Sequence, residues 1–135
     1  MKRIIISGLL AGAVLLIISV TGLYLITLFF PGIAVQYFDS AFNVEQHRNN
    51  LYYAHPFVIS LALAWFWSRF KVVLKGSFIT RGVEFGLIYS MVATFPIMWL
   101  IYAAMNVSLA MVATWFLLAL VQSIIAGLIF EKINP

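Results

Sequence analysis

Apolar residues run almost unbroken over long stretches of this chain, and the polar ones are gathered between them. The first stretch, residues 4–30, carries no charged side chain and is closed by Pro31-Gly32. A helix needs about 20 apolar residues to cross the hydrocarbon of a bilayer, so this stretch predicts one span. Lys2-Arg3 ahead of an apolar run also fits a secretory leader. The run is too long for a leader's apolar region, and no small-residue cleavage pattern follows it, so an uncleaved helix is expected. A second stretch covers residues 54–70. Pro56 is placed in its first turn, where a missing N–H costs nothing. Tyr52-Tyr53 and Trp65-Phe66-Trp67 mark its two interfaces. The third stretch is 82–104, with Pro96 inside it, and the fourth is 108–130, with Ser108 as N-cap after a tight polar turn at Asn106. The pattern predicts one all-α domain, an integral membrane four-helix bundle. Its connections are a polar segment over 31–53 and a basic loop over 71–81.

Composition agrees with lipid as the main solvent. Of the 135 residues, 64% are hydrophobic and only 9% charged, against about 25% charged in an ordinary soluble domain. The net charge of +4 would suit nucleic acid if it formed one patch. Its distribution points elsewhere. Lys2, Arg3, Arg69, Lys71, Lys75, Arg81 and Lys132 fall on one side of the predicted bundle, and only Arg48 on the other. Seven against one is a positive-inside signal. It places both termini in the cytoplasm of a cell with an inner membrane, with 31–53 outside and the basic loop against anionic headgroups. No nucleic-acid partner is expected. With no cysteine, disulfides and thiolate chemistry are excluded.

Lipid tails do not drive helices together, so close backbone approach at small residues must. Gly8 and Gly12, Gly82 and Gly86, and Ser123 and Gly127 (with Ala119) have the four-residue spacing of such faces. They are read as packing sites within the bundle. Pro96 frees the carbonyl of Val92, so a kink is expected there, with Ser90 or Thr94 satisfying the freed group.

Ionisable groups inside a membrane are functional candidates. Glu84 is the one carboxylate within a predicted span, but it lies only about 3 Å from the basic end of its helix, within reach of Arg81. An interfacial Arg81–Glu84 pair is expected. Gln122 is deeper, roughly 12 Å from the same end, and suits an interhelical hydrogen bond. The remaining polar capacity is in the outer segment, where Asp39, Glu45, His47, Arg48 and Asn49 precede the tyrosine pair and His55. These six residues are the candidate recognition set, beside an interfacial amphipathic helix expected over Ala34–Phe42; the segment is read either as a structural lid over the bundle mouth or as a binding site for a ligand or partner. No catalytic set, metal site or cofactor is expected. The histidines have no facing partner deep in another helix, and Glu45-x-His47 has the wrong spacing for one helical face.

Two resemblances accompany this reading. The run Gly82-Val-Glu-Phe-Gly86-Leu-Ile-Tyr89, with Trp115 and Gln122-Ser-Ile-Ile-Ala-Gly127, resembles small, uncharacterised four-helix proteins of bacterial inner membranes. That resemblance covers about the last 55 residues and implies a topology but no activity. His47-x-Asn49-x-Leu51 followed by Pro56-Phe57 is similar to the second-helix motif of the membrane-associated eicosanoid and glutathione metabolism proteins. It would make His47 and Asn49 part of a glutathione site. Tyr52 stands where that family has an acidic residue, its later Arg and Tyr signature has no counterpart here, and the charge bias places this loop outside. The small multidrug exporters need a carboxylate in the first helix, which this chain lacks. The expected function is a non-enzymatic multi-pass membrane protein, an accessory subunit that binds lipid, another membrane subunit or further copies of itself. The alternatives are a small oligomeric transporter or channel, and a glutathione- or lipid-directed enzyme.

Overall fold

The computed structural model describes residues 1–38 and 49–135. Every regular element among them is helical. The first stretch forms α1, Lys2–Phe29. A single short turn, α2 (Pro31–Ala34), follows, started by a proline that needs no N–H partner there. It tightens into a 3₁₀ turn over Val35–Phe38. The expected Ala34–Phe42 helix is therefore displaced: helical structure begins at Pro31 and has already tightened at Val35, while residues 39–42 lie outside the described residues. Next comes α3, Asn49–Phe70, which starts well before the expected residue 54. Pro56 consequently sits inside the helix rather than in its first turn. The Tyr52-Tyr53 pair belongs to the helix too, its rings packed edge to face at 5.5 Å.

Gly76, at φ 112°, reverses the chain after α3 in a conformation open to glycine without strain. Ser77 then caps α4 (Phe78–Tyr89) by accepting from the Thr80 N–H, which sets the start before the expected Gly82. The helix continues through a π-helical turn, Ser90–Thr94, into α5, Phe95–Ala104. Pro96 explains the irregularity. Its ring removes one donor, and the Phe95 N–H reaches back to the Ser90 carbonyl. The Ser90 hydroxyl bonds Ser123 at 2.9 Å, not Val92 as expected. Last is α6, Leu109–Ile133, capped by Ser108.

Two antiparallel hairpins are joined by a third seam. In α1–α3, a Cβ added to Gly8 would lie 3.1 Å from the Leu61 backbone, and one on Gly12 would lie 3.1 Å from that of Phe57. The Ser60 hydroxyl donates to the Gly8 carbonyl at 2.8 Å. In α4–α6, a Cβ on Gly86 would meet the Ile124 nitrogen at 2.5 Å, and one on Gly82 would meet Leu128. Gly127 faces the Gly82 carbonyl, and Ser123 donates to the Gly86 carbonyl at 3.1 Å. The α1–α6 seam is looser, with Gln122 on Ser19 and Leu118 on Gly22.

Lys2–Phe29, Phe78–Ala104 and Leu109–Ile133 are each long and apolar enough to cross a membrane. Asn49–Phe70 is not among them, because tyrosines, tryptophans, His55 and Pro56 dilute its aliphatic run.

Candidate functional site

The end of the bundle where α3, the α4 entry and the α6 exit meet is closed by aromatic rings. Trp67, Phe85 and Phe130 are fully buried there. Trp67 meets Phe85 edge to face at 5.1 Å, and Phe66 stacks on Phe70 at 5.2 Å. Polar ties seal the same end. The Trp67 indole donates to the Asn134 carbonyl at 2.9 Å, and Lys71 Nζ donates to the Asn134 side-chain oxygen at 3.1 Å. Arg81 pairs with Glu131, donates to the Lys71 carbonyl at 3.1 Å and lies over the Trp67 ring.

This corrects the expected Arg81–Glu84 pair. Glu84 is exposed and has no partner among the described residues. Arg81 and Glu84 are about one turn apart on α4, but the glycine seam presses Gly82 against α6. That brings Arg81 onto Glu131, whose side chain is only 8% exposed. In the sequence Glu131 reads as solvated, because Lys132 follows it beyond the last apolar stretch. The antiparallel Gly82–Gly127 register is the signal that could have found it.

Toward the opposite end the helices diverge. α3 and α5 scarcely touch there, and no residue of α5 is buried. Two adjoining cavities of about 210 and 300 Å³ occupy the gap, sharing His55, Met98, Ala119 and Gln122 as walls. The smaller adds Tyr89 and Thr94 beside the π-helical turn, and the larger adds Ser19, Tyr37, Tyr52 and Trp115. Gln122 is held by two bonds, both donated by its amide nitrogen, to Ser19 Oγ at 2.8 Å and to the Leu15 carbonyl at 3.2 Å. Its amide oxygen is left able to accept. His55 lines both cavities, is exposed, and has no hydrogen-bond partner among the described residues.

The rim of the larger cavity is pinned to α6. The Trp115 indole donates to the Tyr37 hydroxyl, with the rings edge to face at 6.2 Å. The Ser108 hydroxyl donates to Gln36 at 2.6 Å. Burial pushes the Tyr37 phenol above its ordinary pKa, and the Trp115 hydrogen bond opposes that shift; the phenol is neutral near pH 7 either way.

Among the described residues no Asp, Glu, Lys or Arg lines either cavity. Among the described residues no group of three or more His, Cys, Asp or Glu could hold a metal. Chemically, the site offers neutral donors and acceptors at the wall of an apolar space. Such an arrangement orients a ligand by a few polar contacts while apolar walls supply most of the binding.

Of the expected recognition set, only His55 can be located at this site. Asp39, Glu45, His47 and Arg48 lie outside the described residues, as does the Asn49 side chain, while the Asn49 backbone starts α3. Gln122, expected to bond between helices, lies on the same cavities as His55. Gly8, Gly12, Gly82, Gly86 and Gly127 occupy the two tight seams, and Ser123, in the α4–α6 seam, also lines the smaller cavity. Tyr89, Thr94, Met98 and Trp115 carry no sequence signal of a site. On an apolar helix each reads as ordinary lipid-facing or packing surface, and only the divergence of α5 gives them a cavity to face. No protein-family model, curated protein or solved structure matches this chain.

Proposed function

We propose that this chain is a four-span membrane protein with both termini in the cytoplasm, and that it binds a lipid-class ligand between its helices without acting on it. One observation carries the reading: His55 and Gln122, from different helices, line the same apolar-walled space, and neither the His55 ring nor the Gln122 amide oxygen has a hydrogen-bond partner among the described residues. The span count rests on three long apolar helices and on α3, which packs along α1 through Gly8 and Gly12 and carries interface-type aromatic residues at both ends. Orientation rests on the seven-to-one charge count. On this reading the cavity takes precedence over the outer polar segment as the first place to look for recognition. An accessory subunit could use it to hold a structural lipid or to sense one.

A photoreactive acyl lipid incorporated into membranes holding the full chain tests this. Crosslinks are expected on cavity residues of α3 and α6, near His55 and Ala119. Crosslinks confined to outward positions such as Val92 and Leu100, 73% and 65% exposed, would remove the basis for the reading.

A transporter is the second reading, and α5 favours it. That helix follows a π-helical turn and Pro96, buries no residue, and borders a space closed at the basic end. Irregular turns of this kind are frequent at functional sites. Spin labels on α5 and α3 that report a single distance, with and without lipid, would speak against it.

A further inference from the structure

On the flank of α5 away from the cavities lies a third space, an almost wholly apolar groove of about 560 Å³. Phe95, Trp99 and Tyr102 of α5 face Leu109, Val112 and Phe116 of α6 across it. Met98 lines the groove and both cavities. Shared by all three, it is the partition between cavities with a few polar groups at their apolar walls and the groove, and methionine's three rotatable bonds let it adapt its shape.

We propose that the ligand is an uncharged, single-chain amphiphile of the monoacylglycerol or long-chain alcohol type, its hydroxyl head held at Gln122 and His55 and its hydrocarbon chain led past Met98 into the groove between α5 and α6. This rests on the cavity being the binding site. The head is uncharged because, among the described residues, none of the three spaces is lined by Asp, Glu, Lys or Arg, and an unpaired phosphate or ammonium taken from water into such walls is heavily penalised. Arg81 and Glu131, the buried charged pair, satisfy each other at the other end of the bundle. The head is a hydroxyl type because the Gln122 amide oxygen accepts, and an imidazole supplies one donor and one acceptor. The chain is single because Met98 joins the head site to one apolar groove, of about 560 Å³, among the described residues.

The full chain in lipid nanodiscs, doped with equal mole fractions of monooleoylglycerol, oleoyl lysophosphatidate and dioleoyl phosphatidylglycerol, provides the test, with retained lipid read by native mass spectrometry. Monooleoylglycerol is expected to be the species retained. Met98→Trp, which fills the partition, and Gln122→Leu, which removes the head's acceptor, are each expected to lower its occupancy about tenfold. Val92→Trp, on the exposed outer face, is expected to leave it unchanged. If Gln122→Leu lowers the melting temperature, Met98→Trp on half-exposed α5 carries the test alone. Retention of the lysophosphatidate or the two-chain lipid in place of monooleoylglycerol, still sensitive to Met98→Trp, overturns the ligand class and leaves the cavity as the site. Retention indifferent to both variants, or no retention of any probe, overturns the class and the proposed site together.

Discussion

Gln122 and Glu131 both belong to α6, yet different helices hold them and the consequences differ. Gln122 spends its amide N–H groups on α1, and its oxygen has no partner among the described residues. Glu131 is paired with Arg81 at the sealed end, where Arg81 Nε and Glu131 Oε2 have no further partner among the described residues. Removing one partner of a buried pair leaves an uncompensated charge and costs about 3 kcal/mol, whereas replacing both by apolar residues can be neutral. Glu131→Leu is therefore expected to destabilise the detergent-solubilised protein by about 3 kcal/mol. Adding Arg81→Met should restore most of the loss, and Glu84→Ala, at an exposed position, should change stability by less than about 0.5 kcal/mol. Melting temperatures of the three variants check this. A larger loss at Glu84 than at Glu131 would return Arg81 to the partner that helical spacing alone suggests. Spacing misjudges this pair because it sees neighbours along one helix, and the ion pair is made between two helices.

At the scale of elements, the seams and the gap obey one rule: small residues bring backbones together, and where they stop the helices part. Glycines at 82, 86 and 127 hold α4 on α6, but α5 presents Phe95, Met98, Trp99 and Tyr102 instead, and it stands off. Gly86→Leu is expected to cost about 2 kcal/mol or more in detergent, since even a Cβ would lie 2.5 Å from the Ile124 backbone nitrogen. Gly32→Ala should be silent, with nothing within 4 Å of its added Cβ. Equal melting temperatures for these two variants would show that close approach at α4–α6 does not support the fold. The long apolar helices and the glycine faces are legible in the sequence because both are local patterns. The π-helical turn is only half legible. Pro96 announces a break, but the contact beside it, Ser90 with Ser123, is made to another helix and is invisible to a local pattern. The early starts of α3 and α4 are hidden for a related reason. Hydropathy marks where lipid begins, whereas helix ends are set by caps such as Ser77 and can lie in the interface.

At the scale of the whole molecule, the bundle is asymmetric along its axis. One end is basic, plugged by Trp67, Phe85 and Phe130 and tied by Arg81, Glu131, Lys71 and Asn134. Among the described residues the other is open between α3 and α5 and bordered by tyrosines. The positive-inside rule turns this asymmetry into a direction, since the ends that carry lysine and arginine stay on the cytoplasmic side. If the orientation holds, the cavity draws its ligand from the outer leaflet and the plug faces the cytoplasm; inverted, the same cavity would draw from the inner leaflet. A chain without cysteine allows a clean test. Val35 and Val73 are 65% and 61% exposed, lie at opposite ends and tolerate a side chain of cysteine's size. With Val35→Cys, intact cells are expected to react with a membrane-impermeant maleimide. With Val73→Cys, labelling is expected only after the membrane is opened. Labelling of both in intact cells would break the four-span topology, because α3 would then begin and end on the same side of the membrane. Labelling of Val73→Cys alone would keep the topology, invert it, and move the expected source of the ligand to the cytoplasmic leaflet.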